Sequence, residues 1–215
     1  MNIKMLKAAL AGLVLSVSGF ANAGLIISAT NAIINSGGPG FGSIQDTINK
    51  NGLSTNYVNG VTDFDAYLAL NPSHTFVFNG NEWFGNSGET LSSVTYDLGS
   101  LMSINALALW NEEAAAISLL DIYVSSDNTN FNALSLGLTP VNNALNTDYL
   151  AEVFSFSDVN TRYVRFDMSN CNQTGWACAI GEVAFRTSTS VPEPSTLAIF
   201  ALGIMGLASR RLKKQ

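Results

Sequence analysis

Arg162-Tyr163-Val164-Arg165-Phe166-Asp167-Met168 is the stretch on which the fold turns. Side chains of an extended chain alternate between two faces. Val164, Phe166 and Met168 therefore share an apolar face with the stem of Arg162, while Tyr163, Arg165 and Asp167 share the polar one. A strand that is greasy on one side and wet on the other needs a second layer over its greasy side. Asp121-Ile122-Tyr123-Val124-Ser125 repeats the pattern, with Ile122 and Val124 pointing inward.

Outward from these two, further β-rich runs fall at short intervals: Gly24–Ala29, His74–Phe78, Ser92–Leu98, Ile104–Trp110, Glu152–Phe156 and Ala179–Arg186. Turn formers separate them, among them Asn79-Gly80, Gly85-Asn86, Asp127-Asn128 and Asn142-Asn143. Residues 35–62 are rich in Asn, Gly and Ser and read as surface loop, with one short helix near Gln45–Asn49. A helical turn over Thr62–Ala69 would bring Phe64, Tyr67 and Leu68 onto one face. Seven or eight antiparallel strands without a long helix predict an all-β sandwich of the jelly-roll type.

Both ends of the chain carry addresses. Lys4 and Lys7, the apolar run Ala8–Val17 and Ala21-Asn22-Ala23 make a signal peptide over residues 1–23, with cleavage leaving Gly24 first. Residues 191–215 run Val191-Pro192-Glu193-Pro194-Ser195, then apolar from Thr196 to Ala208, then Arg210, Arg211, Lys213 and Lys214. The apolar run is about 13 residues, against roughly 20 for an ordinary spanning helix, and the basic end holds it on the cytoplasmic side. This order closely resembles the PEP-CTERM sorting signal, with Pro192, Glu193, Pro194, Arg210 and Arg211 as its landmarks. The resemblance implies export, a transient inner-membrane stage on a short transmembrane helix and cleavage by an exosortase. The cell surface or extracellular matrix would be the destination.

Between the ends, residues 24–190 form one domain whose length permits a substantial core. It holds four basic residues (Lys50, Arg162, Arg165, Arg186) against fifteen acidic ones, a formal charge of −11. Such a surface repels phosphate backbones, which argues against a nucleic-acid partner. Cys171 and Cys178 are the only cysteines. In an exported chain their spacing suits a small disulfide loop, worth about 2–3 kcal/mol of unfolded-state entropy.

The order of segments within the domain adds a second resemblance. Asp97-Leu98-Gly99, Trp110, the Ser126/Asp127/Phe131 set, Arg162-Tyr163-Val164-Arg165 and Glu182 follow one another as in the discoidin or coagulation-factor type C family of galactose-binding-like jelly rolls. Upstream, the family's Asp-Gly-x-x-x-Thr-x-Trp segment is not evident. Thr62-Asp63-Phe64-Asp65 and Gly80-Asn81-Glu82-Trp83 stand as its replacements. The resemblance implies a non-catalytic module that binds glycans, lipid head groups or proteins through loops at one end of the sandwich, often with a structural calcium. Glu182 matches the family's terminal-strand Glu, and Asp63 and Asp65, two apart in a loop, are its candidate partners for that ion.

Ligand contacts are expected from Trp83 and Trp176, whose indoles could stack on sugar rings. Asn111 and Glu112, directly after a strand, would offer an amide and a carboxylate to hydroxyls, and His74 is a further candidate. Trp110 reads as core, and Arg162 and Arg165 as structural cations. No G-x-S-x-G, H-E-x-x-H or P-loop occurs and His74 is the sole histidine, so no enzyme is expected. The leading expectation is attachment to extracellular polysaccharide in a biofilm matrix. The alternative is a structural or adhesive surface protein that contacts other proteins.

Overall fold

A computed structural model describes residues 24–171 and 177–188. The expected signal peptide, the sorting segment with the short helix expected of it, and Trp176 lie outside them. Among the described residues, no helix is long and apolar enough to cross a membrane.

Ten strands carry the fold: β1 (Ile26–Ile27), β2 (Asn31–Ser36), β3 (Ser73–His74), β4 (Trp83–Phe84), β5 (Leu91–Asn111), β6 (Leu119–Ser125), β7 (Asn132–Leu138), β8 (Tyr149–Leu150), β9 (Glu152–Ser169) and β10 (Ala179–Thr187). Two of these fuse what the sequence reading kept apart. Ser92–Leu98 and Ile104–Trp110 are halves of β5; Glu152–Phe156 and Arg162–Met168 are halves of β9. The β5–β9 register breaks between Asp97 and Met102, where Gly99 takes a left-handed φ of 87°. Each long strand thereby serves two layers. The first half of β5 pairs with β2 and with the end of β9, which in turn pairs with β6. The second half pairs with β10 and with the start of β9. The result is an antiparallel sandwich, as expected for a jelly roll.

The core lies between the layers. Val94, Tyr96, Ile122, Val164 and Phe166 from one side meet Leu107, Leu109, Val183 and Phe185 from the other, and all are fully buried. The inward assignments of Val164, Phe166, Met168, Ile122 and Val124 hold. The second layer is also covered on its outside. Ala106, Ala108 and Ala184 carry small side chains there, and Tyr57, Phe64, Tyr67 and Trp110 pack on that face. The cover is the 53–69 segment, whose helix α1 (Phe64–Leu68) begins at Asp63. Burial on both faces explains why β10 reads as a continuous apolar run rather than an alternating one.

Arg162 donates two hydrogen bonds to Asp97, at 2.8 and 2.9 Å, locking β9 to β5 at the break. This hydrogen bonding holds the Asp97 carboxyl below its ordinary range. Arg165 pairs with Asp167 and lies over the rings of Tyr123 and Phe131. Both arginines are therefore structural, as read. Cys171 and Cys178 are joined as a disulfide, with Cα atoms 4.7 Å apart. Besides the two-residue β4 and β8, two longer strands escaped the sequence reading, β2 and β7. Their compositions, NAIINS and NALSLGL, are dominated by turn and small residues, and cross-strand pairing rather than propensity makes them strands. His74–Phe78 is the converse case: only Ser73–His74 pairs, with β8, and the rest is loop.

Candidate functional site

Several loops meet at one end of the sandwich, and hydrogen bonds tie them together. The Gly85 N–H donates to the Cys178 carbonyl, Asn86 N–H to Gly37 and Ala179 N–H to Ala115, at 2.7–3.0 Å. On this end an aromatic cluster faces solvent. Phe41 and Phe78 are about half exposed (57 and 49%). Their ring centroids are 5.4 Å apart, edge to face, and Phe84 continues the cluster at 6.1 Å from Phe78. Phe76 and Val77 extend the apolar surface, and Asn79 and Asn81 border it.

The sequence builds this platform stiffly. β4 alternates, so Trp83 turns inward and Phe84 outward. The buried Trp83 indole donates to the Pro39 carbonyl at 3.0 Å, pinning the 37–43 loop from beneath. Phe41 and Phe84 exchange two backbone hydrogen bonds of 2.8 Å. The Asn86 side chain accepts from Gly40 N–H (3.0 Å) and donates to the Gly38 carbonyl (2.8 Å). Gly40 sits at φ 66°, and a Cβ there would lie 1.9 Å from the Phe84 carbonyl oxygen. No other residue fits, so the loop can approach β4 only through glycine.

Four of the ligand contacts chosen from sequence, Trp83, Asn111, Glu112 and His74, are buried rather than exposed on this surface. Trp83 is fully buried, which corrects its expected exposure. Trp110 is buried as read, donating to the Pro72 carbonyl at 2.9 Å. Asn111 is buried as well. Its amide donates to the Ile117 and Val141 carbonyls and its oxygen accepts from Ile117 N–H, so it staples two loops and has no surface for a sugar hydroxyl. Glu112 is buried and accepts from the Ala114 and Ala115 N–H groups. Burial, followed by its hydrogen bond to Glu113, pushes the Glu112 carboxyl up to about 9. His74 is fully buried: Nδ1 lies 2.9 Å from the Thr75 carbonyl and 3.0 Å from the Tyr149 hydroxyl. A carbonyl only accepts, so Nδ1 carries the proton. Tyr149 in turn donates to Glu82. Burial above all, with Glu82 beside it, raises the Tyr149 hydroxyl well above its ordinary range.

The three carboxylates offered to calcium do not come together. Asp63 caps α1 through Ala66 N–H, and Asp65 pairs with Arg186 at 3.1 Å. Among the described residues, no three His, Cys, Asp or Glu side chains gather as metal ligands. Glu182 stands apart from the two aspartates, buried on the outer face of β10. One of its oxygens accepts from Lys50 N–H at 2.9 Å and the other has no partner. Burial raises its carboxyl well above the ordinary range. Lys50-Asn51-Gly52-Leu53-Ser54-Thr55-Asn56-Tyr57 keeps the threonine and aromatic spacing of the segment missed upstream, with a lysine where that pattern has an acid. Its ammonium lies over the Tyr57 ring at 5.2 Å and acts electrostatically on Glu182. A divalent ion would have to sit beside that cation with one carboxylate to hold it. Any further calcium ligands there would have to be backbone carbonyl or other side-chain oxygens.

Phe41, Phe78 and Phe84 were the residues missed. The signal for Phe78 and Phe84 was present in Thr75-Phe76-Val77-Phe78-Asn79-Gly80-Asn81-Glu82-Trp83-Phe84, an aromatic-rich run in a turn context; Phe41, in the 37–43 loop, carried none. Within that run the tryptophan is the ring that turns inward.

Comparison with known proteins agrees with this architecture. The PEP-CTERM protein-sorting motif matches residues 190–214, which marks the chain for export and processing at the membrane. Chitosan-binding module 1 of a chitosanase/glucanase from Paenibacillus sp. IK-5 is 19% identical at a TM-score of 0.50, covering 77% of this chain and 98% of its own. CpGH89CBM32-5 from Clostridium perfringens, solved in complex with GalNAc-β-1,3-galactose, is 16% identical at a TM-score of 0.51, covering 74% and 94%. No curated protein sequence is significantly similar. The F5/8 type C domain model matches residues 54–183, and the chain therefore belongs to the F5/8 type C domain family.

Proposed function

We propose that the chain is an exported, non-catalytic glycan-binding module whose ligand surface is the Phe41–Phe78–Phe84 platform. The observation that carries this reading is the platform itself: two half-exposed rings, Phe41 and Phe78, and the partly buried Phe84, held by a buried indole, an asparagine staple and a glycine that admits no side chain. Sugar rings present apolar C–H faces to such rings, and preorganised aromatics bind with little entropy loss. The two structural relatives, one chitosan-binding and one solved with a galactose-containing disaccharide, support a glycan as the ligand. The buried His74, Glu82, Glu112 and Glu113 have no path to a substrate, which supports binding without catalysis.

The matched sorting motif supports exosortase processing after a transient inner-membrane stage, with delivery to the cell surface or matrix. Nucleic acid has no place in this scheme, given the acidic domain.

Co-sedimentation of the purified protein with the producing organism's exopolysaccharide tests the reading, with Phe84→Ala and Phe78→Ala beside the wild type. Each truncation removes about 1.5–3 kcal/mol of apolar contact, a loss of about tenfold or more in affinity. Full binding by both variants, with their melting unchanged, would remove the platform from the mechanism. A second reading draws on Phe76 and Val77, which widen the patch into a flat apolar area suited to a protein partner. Absence of binding to any polysaccharide would favour it.

A further inference from the structure

Resting on the platform reading above, we infer that the ligand is an amine-bearing polysaccharide and that carboxylated ones are excluded. The argument starts from where the charges are. Holding a uronate needs a free cation, best an arginine fork, and each of the domain's four cations is engaged elsewhere. Arg162 holds Asp97, Arg165 holds Asp167 under two rings, and Arg186 holds Asp65 and Asn105. Lys50 lies over Tyr57 beside Glu182.

Carboxylates, by contrast, border the platform. Asp148 is exposed and accepts the Phe76 N–H at 3.2 Å. Glu89, also exposed, closes the turn that begins at Asn86, the residue that staples the platform loop. Both flanks are thus negative, on a domain with fifteen acids and four bases. A carboxylated polymer would bring like charge within a Debye length of about 10 Å at 0.1 M salt. An ammonium group gains instead from both carboxylates and from the exposed ring faces, which attract cations.

Two polymers with the same backbone, one with free amines and one with acetylated amines, provide the test. The full chain is titrated by affinity electrophoresis against chitosan and against its N-acetylated form at about pH 5.5, with alginate as the carboxylated comparison. Phe84→Ala and the double variant Asp148→Asn/Glu89→Gln accompany the wild type. The expected result is chitosan bound at least tenfold more tightly than the acetylated polymer, and no retention by alginate. The double variant loses that preference yet still binds the acetylated polymer, and Phe84→Ala weakens both. Equal affinity for the two forms, or Phe84-dependent retention by alginate, overturns the inference and leaves the platform standing. Chitosan binding that ignores both variants and disappears in salt is bulk attraction, and overturns the inference and the platform together.

Discussion

The buried pair Glu112–Glu113 makes stability depend on pH in a direction opposite to the usual acid denaturation. Both residues are almost fully buried, and the Glu112 carboxyl is pushed up to about 9, first by burial and then by its hydrogen bond to Glu113. In the unfolded chain the same group titrates near its ordinary value of 4.5. Between these values the folded state holds one proton more than the unfolded one. Stability is therefore complete below the unfolded value and declines as pH rises toward the folded one, at about 1.4 kcal/mol per pH unit. From pH 5.5 to 7.5 the loss is at most about 3 kcal/mol for this proton, or about 5–10 °C in Tm for a domain of this size. Glu182, raised by its own burial, acts in the same sense. Asp97, held down by Arg162, loses its contribution only at more acidic pH and leaves the window clear. Glu112→Gln isolates the effect, because the amide oxygen still accepts from Ala114 and Ala115 N–H and the NH2 still reaches Glu113. Urea titrations at both pH values should show the wild-type difference shrinking by up to about 3 kcal/mol in the variant. A wild-type stability that is flat or rising from pH 5.5 to 7.5 would refute the reasoning, as would an unaltered difference in Glu112→Gln.

Trp83→Ala removes a fully buried indole and leaves the Pro39 carbonyl without its donor. A loss of about 3–5 kcal/mol is expected, visible as a Tm lower by about 10 °C; a drop of under 2 °C would deny the indole its role. Gly40→Ala forces a Cβ against the Phe84 carbonyl and should weaken polysaccharide binding at least tenfold with every platform ring present, as read by co-sedimentation. Adding excess calcium or a chelator should leave Tm within about 1 °C, because one carboxylate beside a lysine holds a divalent ion poorly. A calcium-dependent rise of several degrees would restore Glu182 as a ligand.

The outlines of the candidate site were legible only in part. Ligand contact was expected at Trp83, between Asn79 and Asn86, and of the platform rings Phe84 lies in that segment. Its side chains were misassigned because Trp83 and Phe84 are neighbours in a strand, and neighbours face opposite ways. Which of the two points outward depends on β4 pairing with Ala179 and Ile180 of β10, and no local signal carries that. Asn111, Glu112 and His74 misled for the opposite reason: polar residues at strand ends usually meet water, whereas here 139–149 folds back over them.

By itself the sequence determined the export and sorting addresses, the all-β class, the inward faces of β6 and β9, the structural arginines and the disulfide pair. Each follows from local order, period-two alternation or the scarcity of alternatives, and needs no distant partner. The tertiary structure alone decided that β5 and β9 each serve both layers, that the second layer is buried on its two faces, and that Phe41 and Phe78 rather than Trp83 meet solvent. These depend on contacts between residues up to about a hundred positions apart, such as Asn86 on the 37–40 loop and Trp83 on Ile180. Alternation sorts side chains into two faces, and only packing determines which face is covered.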